Sequence, residues 1–269
     1  MPDLKPQKIV YLLGAGATHA EIANLHPQWF VDVAKKAKES LLLRGISLRV
    51  CRDARSKSWF KKWNSAKDFE DIELFISLIK DNRIESDATV RGLQGLLKED
   101  ICSKLKDGRQ NKFYLHRALF ELHKKIEDKE TLVAIISLNY DDVLDNSYSK
   151  ICGDKPNYSF PGDPVGPYLL KLHGGFQLKN PKTNKSIPII PPGAHKNYLE
   201  LPYNFIWGRA LESLIECDIL RVIGCSLSAN DIGLIDLIFK AHLQREGGNM
   251  LEIQLINSPD GGKDIKKRL

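Results

Sequence analysis

The apolar residues of this chain fall into two textures. One consists of short continuous runs at 8–13, 131–138, 168–172, 187–190, 218–223 and 251–256, each ended by glycine, proline or a polar residue. Runs of this length with no polar alternation predict strands buried on both faces, as in a parallel sheet. The other texture is helical spacing, which predicts helices at 17–25, 205–216 and 231–244. Strands alternating with helices predict an α/β fold, a Rossmann-like parallel sheet with helices on both faces.

Between residues 30 and 120 the strand texture disappears. Segments 32–43, 68–79, 90–105 and 112–126 have helical patterning; in 68–79 the apolar positions are Phe69, Ile72, Phe75, Ile76 and Ile79. The expected organisation is a core formed by residues 1–29 and 121–269, with an all-helical insertion at 30–120. No internal repeat is visible.

Composition narrows the class. The chain has 269 residues, 42% of them hydrophobic, enough for one large core. The net charge of +6 is spread along the chain, and the basic tail at 263–269 reads as a solvated end. This leaves nucleic acid as an indirect partner at most, since no aromatic stacking platform or base-reading motif accompanies the charge. The five cysteines, Cys51, Cys102, Cys152, Cys217 and Cys225, are widely spaced with no CxxC pair. That spacing argues against a zinc ribbon and against a disulfide framework, so no metal is expected and a reducing cytoplasm is the natural compartment. The first ten residues do not read as a signal peptide, and no apolar run is long enough to span a bilayer.

In open parallel sheets, ligands sit beyond the carboxyl ends of the strands. The predicted strands end at Gly14-Ala15-Gly16, Asn139-Tyr140-Asp141, His173-Gly174, Gly224-Cys225-Ser226 and Asn257. The glycine turn, continued by Ala17 and Thr18 into a helix, suits the approach of a pyrophosphate to a helix N-terminus. The full dinucleotide fingerprint is absent, because His19 stands where the third glycine belongs and no second strand with a terminal acid follows. A nicotinamide dehydrogenase is therefore disfavoured. Asn139 and Asp141 could hold a ribose or carboxamide, or could cap the following helix. His173 is the side chain best suited to move a proton near neutral pH, though an ordinary loop histidine is the plain alternative.

In this order, the motifs resemble the sirtuin superfamily, and more closely the zinc-less, sirtuin-like NADase domains of bacterial antiphage defence systems. Gly14-Ala-Gly-Ala-Thr18, Asn139-Tyr-Asp141, His173-Gly174, Gly224-Cys-Ser-Leu227 with Asp231, and Asn257 carry the resemblance, together with Phe69-Glu-Asp-Ile72 and the stretch 191–196. The resemblance implies a sirtuin-like NAD-binding fold and NAD as substrate, cleaved at the nicotinamide–ribose bond. It implies Asn139, Asp141 and His173 as catalytic residues. Gly14, Ala15, Gly16 and Ala17 would cradle the pyrophosphate, Ser226 and Asn257 would contact the adenosine half, and Thr18 and Gly224 would also bind the NAD. The missing cysteine pairs speak against peptide deacetylation. Because NAD loss is toxic, the resemblance also implies conditional activity, with a homo-oligomer and a partner protein or activator as the means of control. Two alternatives stay open: a nucleotide-binding module without turnover, and a subunit of a DNA-associated complex.

Overall fold

The computed structural model describes residues 5–25, 95, 98–99, 101–103, 105–106, 113–152, 155–160, 162–180, 183–187, 189–190, 198–227, 231–245, 250–257 and 265. The chain divides into two units. One is Met1–Glu21, Arg109–Ile189 and Asn197–Leu269; the other is Ile22–Gly108 with Ile190–Lys196. The expected helices at 32–43 and 68–79 lie outside the described residues. Within 90–105, the described positions 95, 98–99 and 101–103 are helical.

The first unit holds the sheet. In chain order its elements are β1 (Gln7–Leu13), α1 (Ala15–Leu25, running on into the second unit), α2 (Tyr114–Lys125), β2 (Glu130–Ser137), α3 (Val143–Cys152), β3 (Tyr168–Lys171), α4 (Tyr203–Glu216), β4 (Ile219–Ile223), α5 (Ile232–Leu243) and β5 (Glu252–Ile256). All strand pairs are parallel, in the order β3-β2-β1-β4-β5. The chain therefore builds outward from β1 through β2 to β3, then returns to the other side of β1 for β4 and β5. Right-handed crossovers on both limbs put α1–α3 on one face and α4–α5 on the other.

The packing agrees. Ile9, Tyr11, Leu13, Ile135, Leu169 and Ile219 form one buried cluster with Ala17 of α1, Phe120 of α2, and Leu144 and Tyr148 of α3. The intervening residues Val10, Leu12, Ala134, Ile136, Leu170, Leu220 and Val222 are buried too. They cover the face against which α4 packs, at β1, β2 and β3. Each fully buried Leu or Ile stabilises the fold by roughly 1.5–3 kcal/mol relative to exposure. Unbroken apolar runs were the right sign for a sheet covered on both sides.

One predicted strand is absent. Among its described positions, Ile187, Ile189 and Ile190 form no strand. Only an antiparallel bridge between Lys179 and Ser186, with the Ile187 N–H donating to the Leu178 carbonyl, marks the region. The sequence places Pro188 within the run, and a proline has no N–H to give a ladder, which disfavours a strand. No helix among the described residues is long and apolar enough to cross a membrane.

Candidate functional site

The order β3-β2-β1-β4-β5 reverses direction beside β1, so the carboxyl ends of β1 and β4 flank the topological switch point. Two glycine turns meet there. The Gly14 N–H continues the ladder to the Ile223 carbonyl at 3.0 Å, and the Gly16 N–H donates to the Gly224 carbonyl at 2.8 Å. The Ala17 N–H closes a turn onto the Gly14 carbonyl at 3.0 Å and so starts α1. A Cβ at Gly16 would lie 2.7 Å from the Gly224 oxygen, and one at Gly224 would lie 2.3 Å from the Ala17 nitrogen. Gly224 also has φ +57°. Backbone-on-backbone contact between the turns thus requires these glycines whether or not a ligand is present. Three of the four N–H groups of Gly14–Ala17, those of Gly14, Gly16 and Ala17, are engaged with other backbone groups among the described residues. Ala15 and Gly16 are exposed at the positive end of α1.

Beyond β2 lies a buried polar relay. Asn139 Nδ2 donates to the Gly14 carbonyl and to Thr18 Oγ1, both at 2.9 Å. Thr18 Oγ1 in turn donates to Asp141 Oδ2 at 2.7 Å. The Gly14 carbonyl can only accept, so the amide nitrogen must face it, and the direction of every bond in the relay follows. Asp141 Oδ1 accepts the Val143 N–H at 3.1 Å, which serves the first turn of α3. The helix-capping alternative for Asp141 is therefore realised alongside the relay. Thr18, Asn139 and Asp141 are each at least nine-tenths buried.

The tip of β3 is drawn against that of β2. The Leu172 N–H donates to the Ser137 carbonyl, and the Phe176 N–H to the Tyr140 carbonyl. Lys171 to Gly174 form a tight turn closed by Gly174 N–H on the Lys171 carbonyl at 2.9 Å, and Gly174 takes φ +79°. This turn holds His173, only 5% exposed, beside the Tyr140 ring at 6.3 Å and the Trp207 ring at 6.5 Å. Trp207 is fixed by its Nε1–H bond to the Leu172 carbonyl at 3.0 Å. His173 Nε2 stands 4.0 Å from Asp231 Oδ1, outside hydrogen-bond range. His19 is the other imidazole near the glycine turn. Burial holds its pKa below the ordinary value, which favours the neutral ring.

The structure thus brings Gly14–Thr18, Asn139, Asp141, His173 and Gly224 to one end of the sheet. At the neighbouring tips of β4 and β5, Ser226 is exposed, and Asn257 Nδ2 donates to the Cys225 carbonyl at 3.0 Å, steadying the turn after β4. Sequence reasoning missed Lys171, Asp145 and Tyr158. Lys171 is 2% exposed at the end of β3; its Nζ donates to the Asp141 carbonyl and, at 2.9 Å, to Asp145 Oδ2. Tyr158 donates its hydroxyl to Asp145 Oδ1 at 2.5 Å. The available signal was a lysine inside the otherwise apolar run of β3, which must be paired when buried. The role of Asp231 beside His173 was likewise unassigned. Among the described residues, no group of three or more His, Cys, Asp and Glu is arranged to hold a metal ion.

No protein-family model matches the chain, and no curated protein matches it. Several solved structures are similar to it. A structure from work on the mechanism and regulation of Sir2 enzymes is 13% identical, with a TM-score of 0.36, over 98% of this chain and 94% of that one. A mutant Sir2 homologue in complex with ADP-ribose is 16% identical, with a TM-score of 0.38, over 97% and 92%. A Sir2 homologue in complex with NAD is 14% identical, with a TM-score of 0.37, over 97% and 90%.

Proposed function

We propose that the crevice at the ends of β1, β2, β3 and β4 binds NAD and hydrolyses its nicotinamide–ribose bond. The observation that carries this reading is the buried Asn139–Thr18–Asp141 relay beside a nearly buried His173, at the switch point of a parallel sheet. The exposed backbone at Ala15 and Gly16, with the positive end of α1, fits a pyrophosphate; the glycine N–H groups already bonded do not add donors. Gly224, Ser226 and Asn257, on the β4 and β5 side, would meet the adenosine half.

The reaction requires little more than positioning and charge. The C1′–N bond breaks with its electron pair passing to the nicotinamide nitrogen, and positive charge develops at C1′. Water adds to C1′, and its proton leaves through His173 to solvent, giving nicotinamide, ADP-ribose and a proton. With Nδ2 anchored, Asn139 would present its Oδ1 to the ribose or the water. The Asp141 carboxylate, oriented by Thr18, would favour the developing cation. Asp231 would favour the imidazolium that His173 becomes. In a cell this activity would deplete NAD, the action expected of an antiphage effector kept silent until triggered.

One observation favours a second reading. The amide nitrogen of Asn139 and both carboxylate oxygens of Asp141 have partners inside the protein, as expected for a binding module that never turns over. Incubation with NAD and chromatography for nicotinamide and ADP-ribose separates the two. The native protein is expected to release both products, and His173→Ala to lose about 10²–10⁴-fold in rate, the usual worth of a general base. Binding without release would favour the module over an enzyme active on its own, and an unimpaired His173→Ala would remove His173 from the mechanism.

A further inference from the structure

Lys171 is an ammonium group buried directly under the candidate site, and the reaction proposed above does not use it. A lone buried ammonium is costly unless paired. Here it is paired on two sides: Asp145 in the first turn of α3 supplies the charge, and the Asp141 carbonyl supplies a second acceptor. Tyr158 completes the set by donating to the other oxygen of Asp145. Burial first, and the Asp145 charge second, push the Tyr158 phenol pKa far up, so it remains a donor. Gly175 belongs to the same arrangement, since a Cβ there would lie 2.7 Å from Lys171 Cε. The ammonium therefore has glycine backbone on one side and the β2 tip on the other.

Two consequences follow from these contacts. Lys171 ties the loop after β2, at Asp141, to the strand that ends two residues before His173. The carboxylate partner also neutralises the ammonium that sits on the Asp141 backbone. As the C1′–N bond breaks, the positive charge already on the pyridinium moves to the ribose, where the Asp141 carboxylate is proposed to favour it. An uncompensated ammonium beside Asp141 would offset that carboxylate, strongly in a site sheltered from water.

We propose that Lys171, Asp145 and Tyr158 form a charge-neutral strut beneath the crevice, in which Lys171 positions the Asp141 and His173 tips and Asp145 shields the reaction from the charge of Lys171. This rests on the NAD-cleaving reading. These are positioning residues, so the test must separate electrostatics from folding.

A double-mutant cycle on nicotinamide release does so, using Asp145→Asn, Lys171→Met and the two combined, with thermal unfolding measured on each. Asp145→Asn is expected to lower kcat by about 10-fold or more with KM changed far less, the mark of an effect confined to the transition state. The combined variant, which removes both charges, is expected to recover kcat to the level of Lys171→Met alone or above it. Tyr158→Phe, the mildest change, keeps the test alive if a charge variant fails to fold; it is expected to lower kcat a few-fold at unchanged KM. Losses that multiply in the combined variant, or full turnover in Asp145→Asn or in Tyr158→Phe, overturn the strut alone. Absence of nicotinamide release from the native protein overturns the NAD-cleaving reading and the strut with it.

Discussion

Thr18 has the most demanding position of any single residue at the site. Its hydroxyl accepts from Asn139 and donates to Asp141, and it is only 1% exposed, so water cannot replace either bond. Thr18→Val keeps the shape and removes both bonds. Leaving the Asp141 oxygen unsatisfied is expected to cost roughly 1–3 kcal/mol of stability in denaturant unfolding. Nicotinamide release should fall as well, because the Asp141 carboxylate loses its fixed orientation. A variant as stable and active as the native protein would show the relay to be incidental. The strand tips were legible in the sequence because continuous apolar runs mark buried parallel strands, and what ends such a run must stand at the mouth of the sheet. The relay was not, because Thr18 and Asp141 are brought together only by the pairing of β1 with β2. The same holds for Lys171 and Asp145: the sequence showed an unpaired lysine in a strand but not the helix that would answer it.

At the scale of elements, the helix that begins at the site also organises its neighbour. Phe113, at the start of α2, offers no side-chain cap. Glu21 of α1 supplies it instead, accepting the N–H groups of Leu115 and His116 and pairing with His116 Nδ1 at 2.8 Å. A carboxylate at a helix N-terminus satisfies orphan donors and opposes the dipole. Burial by itself would raise the Glu21 pKa, but the side-chain and backbone bonds from His116, with that from Leu115, together outweigh it and hold the value below the ordinary 4.5. A depressed carboxyl contributes stability that is present above its unfolded value and lost as pH falls through its folded one. Glu21→Gln is therefore expected to lower stability by about 2 kcal/mol at pH 7, the worth of hydrogen bonds to a charged group. The gap between native and variant should begin to narrow as the pH drops below about 4.5, the unfolded value, and be smallest once the folded Glu21 is protonated too. A gap that stays constant with pH would mean that shape, not charge, holds α2 in place. Nothing in the sequence could pair Glu21 with His116, because the two helices are separated by the stretch 26–113, and a buried acid in a short helix reads as an exposed one until its partner is known.

At the scale of the molecule, the strand order decides where a ligand can matter. A group lodged at the switch point touches the turns after β1 and β4, and through Asn139 the tip of β2, so it would bridge the limbs that the chain builds in opposite directions from β1. Such a ligand stabilises the folded state by mass action. At a concentration about 100 times its Kd the gain is about 2.7 kcal/mol, which for a chain of this size is a rise in Tm of roughly 5–10 °C. ADP-ribose, which cannot be hydrolysed at C1′, is the cleaner probe, and nicotinamide alone should produce little. His173→Ala should keep the full shift with ADP-ribose, since its proposed task is proton transfer and not binding. The Arg221–Glu130 pair, at 2.5 Å across the sheet face and away from the strand tips, gives a control. Its Glu130→Gln variant should start from a lower Tm and rise by the same amount. A shift that vanishes in His173→Ala would make the imidazole a binding group. No shift with either NAD or ADP-ribose at millimolar concentration would mean that the two glycine turns meet only to close the sheet.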